Sequence, residues 1–227
     1  MKSLIISCRT LENELTSAMK TCRISWPVIW LDASLHNVKD KLRAAVQEVL
    51  DIHTEEDRIF LATSFCGNAL EGLQNRQAEL IIPRTDDCIS TLLGGTACKM
   101  CHMDSYFLTE GWLKGERSLM NEYKISLQRY GEKRTGRIFH AMLKNYRSFS
   151  LLDTGCYDLE AAAKEARVLA AVFGKSLQTL PASTGYLQEL LTGPWQEDRF
   201  LTLPPGQTLR AASMQLYNNQ LPSKEEI

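Results

Sequence analysis

Short aliphatic runs recur along this chain at intervals that leave room for one helix between each run and the next. Leu4 to Ile6, Pro27 to Leu31, Arg58 to Thr63, Glu79 to Pro83 and Ser105 to Thr109 each read as a buried strand. A few consecutive Ile, Leu, Val or Phe residues bounded by polar turn residues suit a strand covered on both faces. Between them, Leu11, Leu15, Ala18 and Met19, and then Leu42, Ala45, Val46, Val49 and Leu50, fall at helical spacing. Strand–helix–strand alternation implies right-handed crossovers and parallel pairing, with helices on both faces. The expected fold is therefore α/β: a mostly parallel, Rossmann-like sheet flanked by helices.

The second half repeats the alternation more loosely. Phe149 to Asp153, Leu177 to Leu180 and Phe200 to Pro204 are further strands. Asp158 caps an alanine-rich helix from Leu159 to Phe173 that Gly174 closes, and Gly185 to Leu191 is a short helix. In the middle, Leu119 to Tyr130 and Thr135 to Tyr146 carry apolar residues three and four apart, with Gly131 between them. Residues 114–146 are thus expected as a helical insertion or cap. Residues 1–217 read as one domain and 218–227 as a polar, frayed tail. Other helix starts are expected at Thr10, at Ser34 or Asn37, and at Asp86, with a short helix from Asn68 to Gln77.

The chain is 44% hydrophobic with a formal net charge of −1, an ordinary water-soluble composition. No block of like charge stands out, so neither a nucleic-acid partner nor an anionic membrane surface is expected. No apolar run approaches the roughly 20 residues that span a bilayer. Cys8-Arg9 interrupts the N-terminal apolar run before it reaches the length of an export signal, which predicts a cytoplasmic location. Seven cysteines is an odd number, and a reducing compartment disfavours a disulfide framework. Metal binding, catalysis and plain burial as small apolar groups remain.

Position favours the first of these. Cys8, Cys66 and Cys88 each follow the apolar core of a predicted strand, and His36 follows the second strand in the same way. In open α/β sheets, ligands sit at the carboxyl ends of the strands. Zinc takes about four N or S ligands near tetrahedral geometry, and iron–sulfur clusters take mostly thiolates. The four side chains are therefore candidate metal ligands, set against the reading in which the cysteines pack as small hydrophobes. Cys98-Lys-Met-Cys101-His102 matches the C-x-x-C-H spelling of covalent haem attachment. That chemistry normally follows export, so Cys98 and Cys101 are better read as a second metal or redox pair. Asn68, Arg84, Asp87 and Asp153 are candidates for the rim of the site or for substrate contacts. Asp153-Thr-Gly155 is a single copy of a triplet that aspartic proteases need twice, and is read as a tight turn. No G-x-G-x-x-G, Walker loop or G-x-S-x-G is present.

Leu11-Glu-Asn-Glu-Leu15, Leu35-His-Asn37, Phe65-Cys-Gly-Asn-Ala69, Ile82-Pro-Arg-Thr-Asp-Asp-Cys-Ile89, Leu92-Leu-Gly94, Tyr106-Phe-Leu-Thr-Glu-Gly-Trp112 and Asp153-Thr-Gly155 resemble a family of unknown function from anaerobic bacteria and methanogenic archaea. Some of its members lie near genes for corrinoid-dependent methyl transfer. The matching positions include Cys8, His36, Cys66 and Cys88. In one departure, Asp87 stands where the family usually has histidine. The resemblance implies a metal-dependent protein of anaerobic one-carbon or corrinoid metabolism, with zinc or an iron–sulfur cluster as cofactor. A corrinoid is a further possible ligand, and a corrinoid protein or methyltransferase a partner. The alternative is a non-catalytic metallochaperone or accessory protein.

Overall fold

In the computed structural model, residues 1–100 and 102–214 are described. Cys101, the tail expected from residue 218, and the side chains of His36 and Asn37 lie outside the described residues.

The elements run β1 (Ser3–Cys8), α1 (Glu12–Cys22), β2 (Val28–Leu31), α2 (Lys39–Ile52), β3 (Arg58–Ala62), β4 (Glu79–Pro83), α3 (Cys88–Leu92), α4 (Thr96–Met100) and β5 (Ser105–Leu108). They continue with α5 (Glu110–Lys114), α6 (Leu119–Leu143), β6 (Ser148–Asp153), α7 (Leu159–Phe173), β7 (Ser176–Pro181), α8 (Gly185–Thr192), β8 (Phe200–Leu203) and α9 (Ala211–Met214). Short 3-10 turns at Arg9–Leu11 and Ala33–Asn37 follow β1 and β2.

The α/β class is as expected, but the strands divide between two sheets. The first has the order β2-β1-β3-β4-β8 and the second β5-β6-β7. Among the named strands all pairings are parallel except β4 with β8. β8 occupies the edge beside β4 that a fifth parallel strand would need. β5 pairs with β6 instead.

Alternation along the strands sorts side chains into layers. Leu4, Ile6, Ile59, Leu61, Leu80 and Ile82 face one side, where Leu42, Val46 and Leu50 of α2 cover them. Ile5, Phe60 and Ile81 face the other, against α1, α3 and α8. Leu152 of β6 joins this second layer, so the two sheets share it. Phe149 and Leu151 point the opposite way, onto α6 and α7.

Several helix starts differ from expectation. Thr10 falls inside the 3-10 turn, and α1 begins after Leu11 with no side-chain cap. Val38 precedes α2 without a capping bond, while Asp32 caps the 3-10 turn before it. Asp87, not Asp86, caps α3. Asp158 does cap α7, and Gly174 ends it in the left-handed region at φ +61°. Gly131 bends α6 with φ 72° and ψ 170°, values that a helix cannot hold.

Candidate functional site

Because β1, β3 and β4 run parallel, their carboxyl ends open at one edge of the first sheet. Cys8 is the last residue of β1, Cys66 sits in the loop that leaves β3, and Cys88 is the first residue of α3 just past β4. All three line a single cavity of about 350 Å³, together with Thr10, Asp87 and Trp112.

The loop carrying Cys66 has an unusual backbone. Ser64, Cys66, Gly67 and Asn68 have φ of +47°, +45°, +61° and +71°. A left-handed residue other than glycine costs about 1–2 kcal/mol, and such a run persists only where its surroundings over-determine it. Here the surroundings are a closed ring of buried hydroxyls. Ser64 Oγ lies 2.9 Å from Thr91 Oγ1, and Thr85 Oγ1 lies 2.9 Å from Ser64 Oγ and 2.8 Å from Thr91 Oγ1. The Phe65 amide also donates to the Thr85 carbonyl at 3.1 Å. The loop after β3 is thereby tied to the loop after β4 and to α3. The helix expected from Asn68 to Gln77 is replaced by turns. The Gly72 amide donates to Leu209 O at 2.8 Å and that of Asn75 to Gln207 O at 2.9 Å, so these amides serve the C-terminal segment rather than a helix.

Each thiol has its own setting. Thr10 Oγ1 donates to Cys8 Sγ at 3.1 Å, and Cys66 Sγ donates to the Thr63 carbonyl at 3.0 Å. Burial pushes the Cys66 thiol up to about 12, helped by the Cys8 and Asp87 charges and opposed by Lys99. Burial also raises Cys88 well above the ordinary thiol value, with the charges of Asp87, Cys66 and Cys8 adding to it, while a hydrogen bond from Trp112 acts in the opposite direction. Asp87 Oδ1 accepts from the Ser90 amide and hydroxyl, both at 2.9 Å, and its other oxygen pairs with Lys99. Burial and the neighbouring Asp87 raise Asp86, which also lines the cavity.

Other residues singled out in the sequence lie elsewhere. Arg84 is buried, donates to the Ser213 carbonyl, and does not line the cavity. This bond ties β4 to α9. Asp153 ends β6 in the second sheet, where it accepts from the Gly155 amide at 3.2 Å. Asn68 is exposed in the strained turn beside the cavity. Cys98 is exposed on α4, and its expected partner Cys101 and the His36 imidazole lie outside the described residues. Among the described residues, no group of three or more His, Cys, Asp and Glu side chains is drawn up close enough to hold a metal ion. The hydroxyl ring and the place of Trp112 in the cavity wall were not foreseen. Their readable signal was the cluster of Thr and Ser just past two adjacent strands.

No curated protein and no solved structure matches the chain. Residues 30–191 match the model of a family described as "Protein of unknown function (DUF1638)", which includes the loops that carry Cys66 and Cys88, and the chain belongs to that family.

Proposed function

We propose that the cavity at the carboxyl edge of the first sheet is a thiolate metal site, serving an enzyme of anaerobic one-carbon or corrinoid metabolism. The observation that carries this reading is that three cysteines, from three different strand ends, line one cavity of about 350 Å³. Cys8, Cys66 and Cys88 are the ligands, with His36 as the fourth ligand or as a base beside them. Thiols stacked in a buried pocket repel one another as thiolates, and a soft cation relieves both the burial penalty and the repulsion. The bonds that hold Cys8 and Cys66 are single and local, so rotation about each Cα–Cβ bond can turn both sulfurs inward. Bound zinc would supply Lewis acidity, and an iron–sulfur cluster would supply electron transfer.

The chain's own residues have separate tasks. Asp87 and Lys99 form a fixed charge pair beside the sulfurs, and Trp112 supplies an apolar wall. The space left beside a bound ion favours an enzyme, which keeps a position for substrate within a cavity. The family resemblance supports a corrinoid protein or methyltransferase as partner. A second reading, an accessory protein that passes its metal on, is favoured by the partial exposure of Cys8 and Cys66. Anaerobic purification followed by metal and sulfide analysis tests the proposal. About one zinc, or one cluster with matching acid-labile sulfide, is expected per chain, lost in Cys66→Ala and Cys88→Ala and kept in Cys22→Ala. Colourless, metal-free protein whose Cys66→Ala variant matches wild type in every measurement would end it.

A further inference from the structure

The turn that carries Cys66 leaves backbone donors unused. The Ala69 amide donates to the Phe65 carbonyl at 3.1 Å and closes a left-handed turn through Cys66, Gly67 and Asn68. Among the described residues, the amides of Cys66, Gly67 and Asn68 have no acceptor. Left-handed backbone at Cys66 and Asn68 is costly, and a right-handed turn would aim these amides elsewhere. Consecutive amides held in one turn point to a common side and form a concave nest for an anion.

Two further groups stand beside these amides. A Cβ at Gly67 would lie 3.8 Å from Lys39 Nζ. Cβ and N of one residue are about 2.5 Å apart, so the ammonium is within about 6 Å of the Gly67 amide. One oxyanion spans that gap, since it accepts from each donor at about 2.9 Å. Among the described residues Lys39 makes no ion pair, and Asp40 beside it is taken by Arg43 at 2.8 Å. Thr63 is 2% exposed and lines the same cavity as Gly67, and its hydroxyl has no partner. On the β4 side, Asp86 and Asp87 line the cavity, and Lys99 is already paired with Asp87. An anion is therefore kept from the β4 side and drawn to the β3 side.

We propose that the substrate of this cavity carries an oxyanion, a carboxylate or a phosphate, that seats on the amides of Cys66, Gly67 and Asn68 and on the Lys39 ammonium. The Thr63 hydroxyl is a further donor from the cavity wall. The proposal rests on the cavity being an enzyme's substrate site, as above, and routes nothing through a metal. Gly67 and Asn68 are exposed and Cys88 is buried, so the charged end of the substrate stays at the rim and the remainder reaches toward the sulfurs. A neutral substrate would gain nothing from these donors.

The test follows the amide NMR spectrum of the isotope-labelled full chain during titration with inorganic phosphate, with acetate and, as control, with sodium chloride at equal ionic strength. The Gly67 and Asn68 amide protons are expected to move downfield with phosphate or acetate and not with chloride, and the tighter of the two anions names the group. Lys39→Met should weaken that binding at least about tenfold, the scale of losing one charge-assisted bond, and Lys39→Arg should restore most of it. Lys41→Met, exposed on the same helix, should leave it within about twofold. The spectra themselves show that each variant folds. Metal content is measured on the same samples. A metal-free chain that still binds phosphate or acetate at these amides fails the metal reading alone, and a metal-loaded chain that binds neither fails this proposal alone. The proposal is overturned if neither anion moves Gly67 and Asn68 more than chloride does, or if Lys39→Met and Lys41→Met behave alike.

Discussion

The hydroxyls of Ser64 and Thr85 lie 2.9 Å apart, and this contact ties the loop that carries Cys66 to the segment that leads into Cys88. Thr91 closes the ring from inside α3. Thr85→Val keeps the shape and removes the central member. It should cost about 1–3 kcal/mol, the usual penalty for breaking a buried polar network, and Thr85→Ser should recover most of it. Urea unfolding midpoints decide this. A valine variant as stable as wild type means that the ring does not hold the loop.

The strained turn gives a prediction of opposite sign. Asn68 is exposed and left-handed, so Asn68→Gly relieves backbone cost without removing a buried contact. Stability should rise by less than about 1 kcal/mol, the left-handed relief net of the freedom that glycine adds to the unfolded chain. A fall in the unfolding midpoint would contradict the assigned conformation.

Gly111 packs against the backbone at the entrance to α1. A Cβ there would lie 2.2 Å from the Thr10 carbonyl oxygen, and neither partner is a movable side-chain tip. Gly111→Ala should destabilise the protein by about 3 kcal/mol or more. It should also disturb the cavity wall, because Thr10 and Trp112 flank the contact. Melting temperature, and protection of Trp112 fluorescence from a soluble quencher, measure the two effects separately.

Thiol chemistry should order the cysteines. In the reduced, metal-free protein, exposed Cys98 is alkylated first and buried Cys88 last among the described cysteines. The rate at Cys66 should climb about tenfold with each pH unit until about 12, because only the thiolate reacts. Peptide mapping after timed iodoacetamide treatment reads each site. A Cys66 rate that levels off near pH 9 would show that burial does not govern this thiol.

Glu14 supplies a pH dependence of its own. It is 1% exposed; its Oε1 accepts from the Thr154 hydroxyl at 3.1 Å, while Oε2 has no partner. Burial raises its pKa, and the charge on Glu110 raises it further. The folded state therefore keeps a proton that the unfolded chain releases near pH 4.3. This contribution to stability is present at acid pH, falls as pH rises above that value, and levels off past the raised folded pKa. Glu14→Gln keeps the acceptor for Thr154 and should flatten that slope. Unfolding free energies measured across the acid range for both proteins check it. Parallel curves would remove Glu14 as the cause.

The strands were legible because their aliphatic runs are short and sharply bounded. The division into two sheets was not, since pairing depends on which edge a distant segment fills, and β8 arrives from residue 200. That Cys8, Cys66 and Cys88 face one edge was readable from topology, because parallel strands put their carboxyl ends together. How far apart the sulfurs stand was not, since that depends on loop conformation. The bond from Arg84 to the Ser213 carbonyl was not readable, because nothing near either residue in sequence signals it.

The antiparallel seating of β8 on β4 has a consequence for biogenesis. Until Phe200 to Leu203 have left the ribosome, the outer rim of β4 has no strand beside it. A nascent chain stalled before that point presents Leu80 to Pro83 as an open template for other polypeptides. Chaperone dependence during synthesis should therefore persist until β8 has emerged.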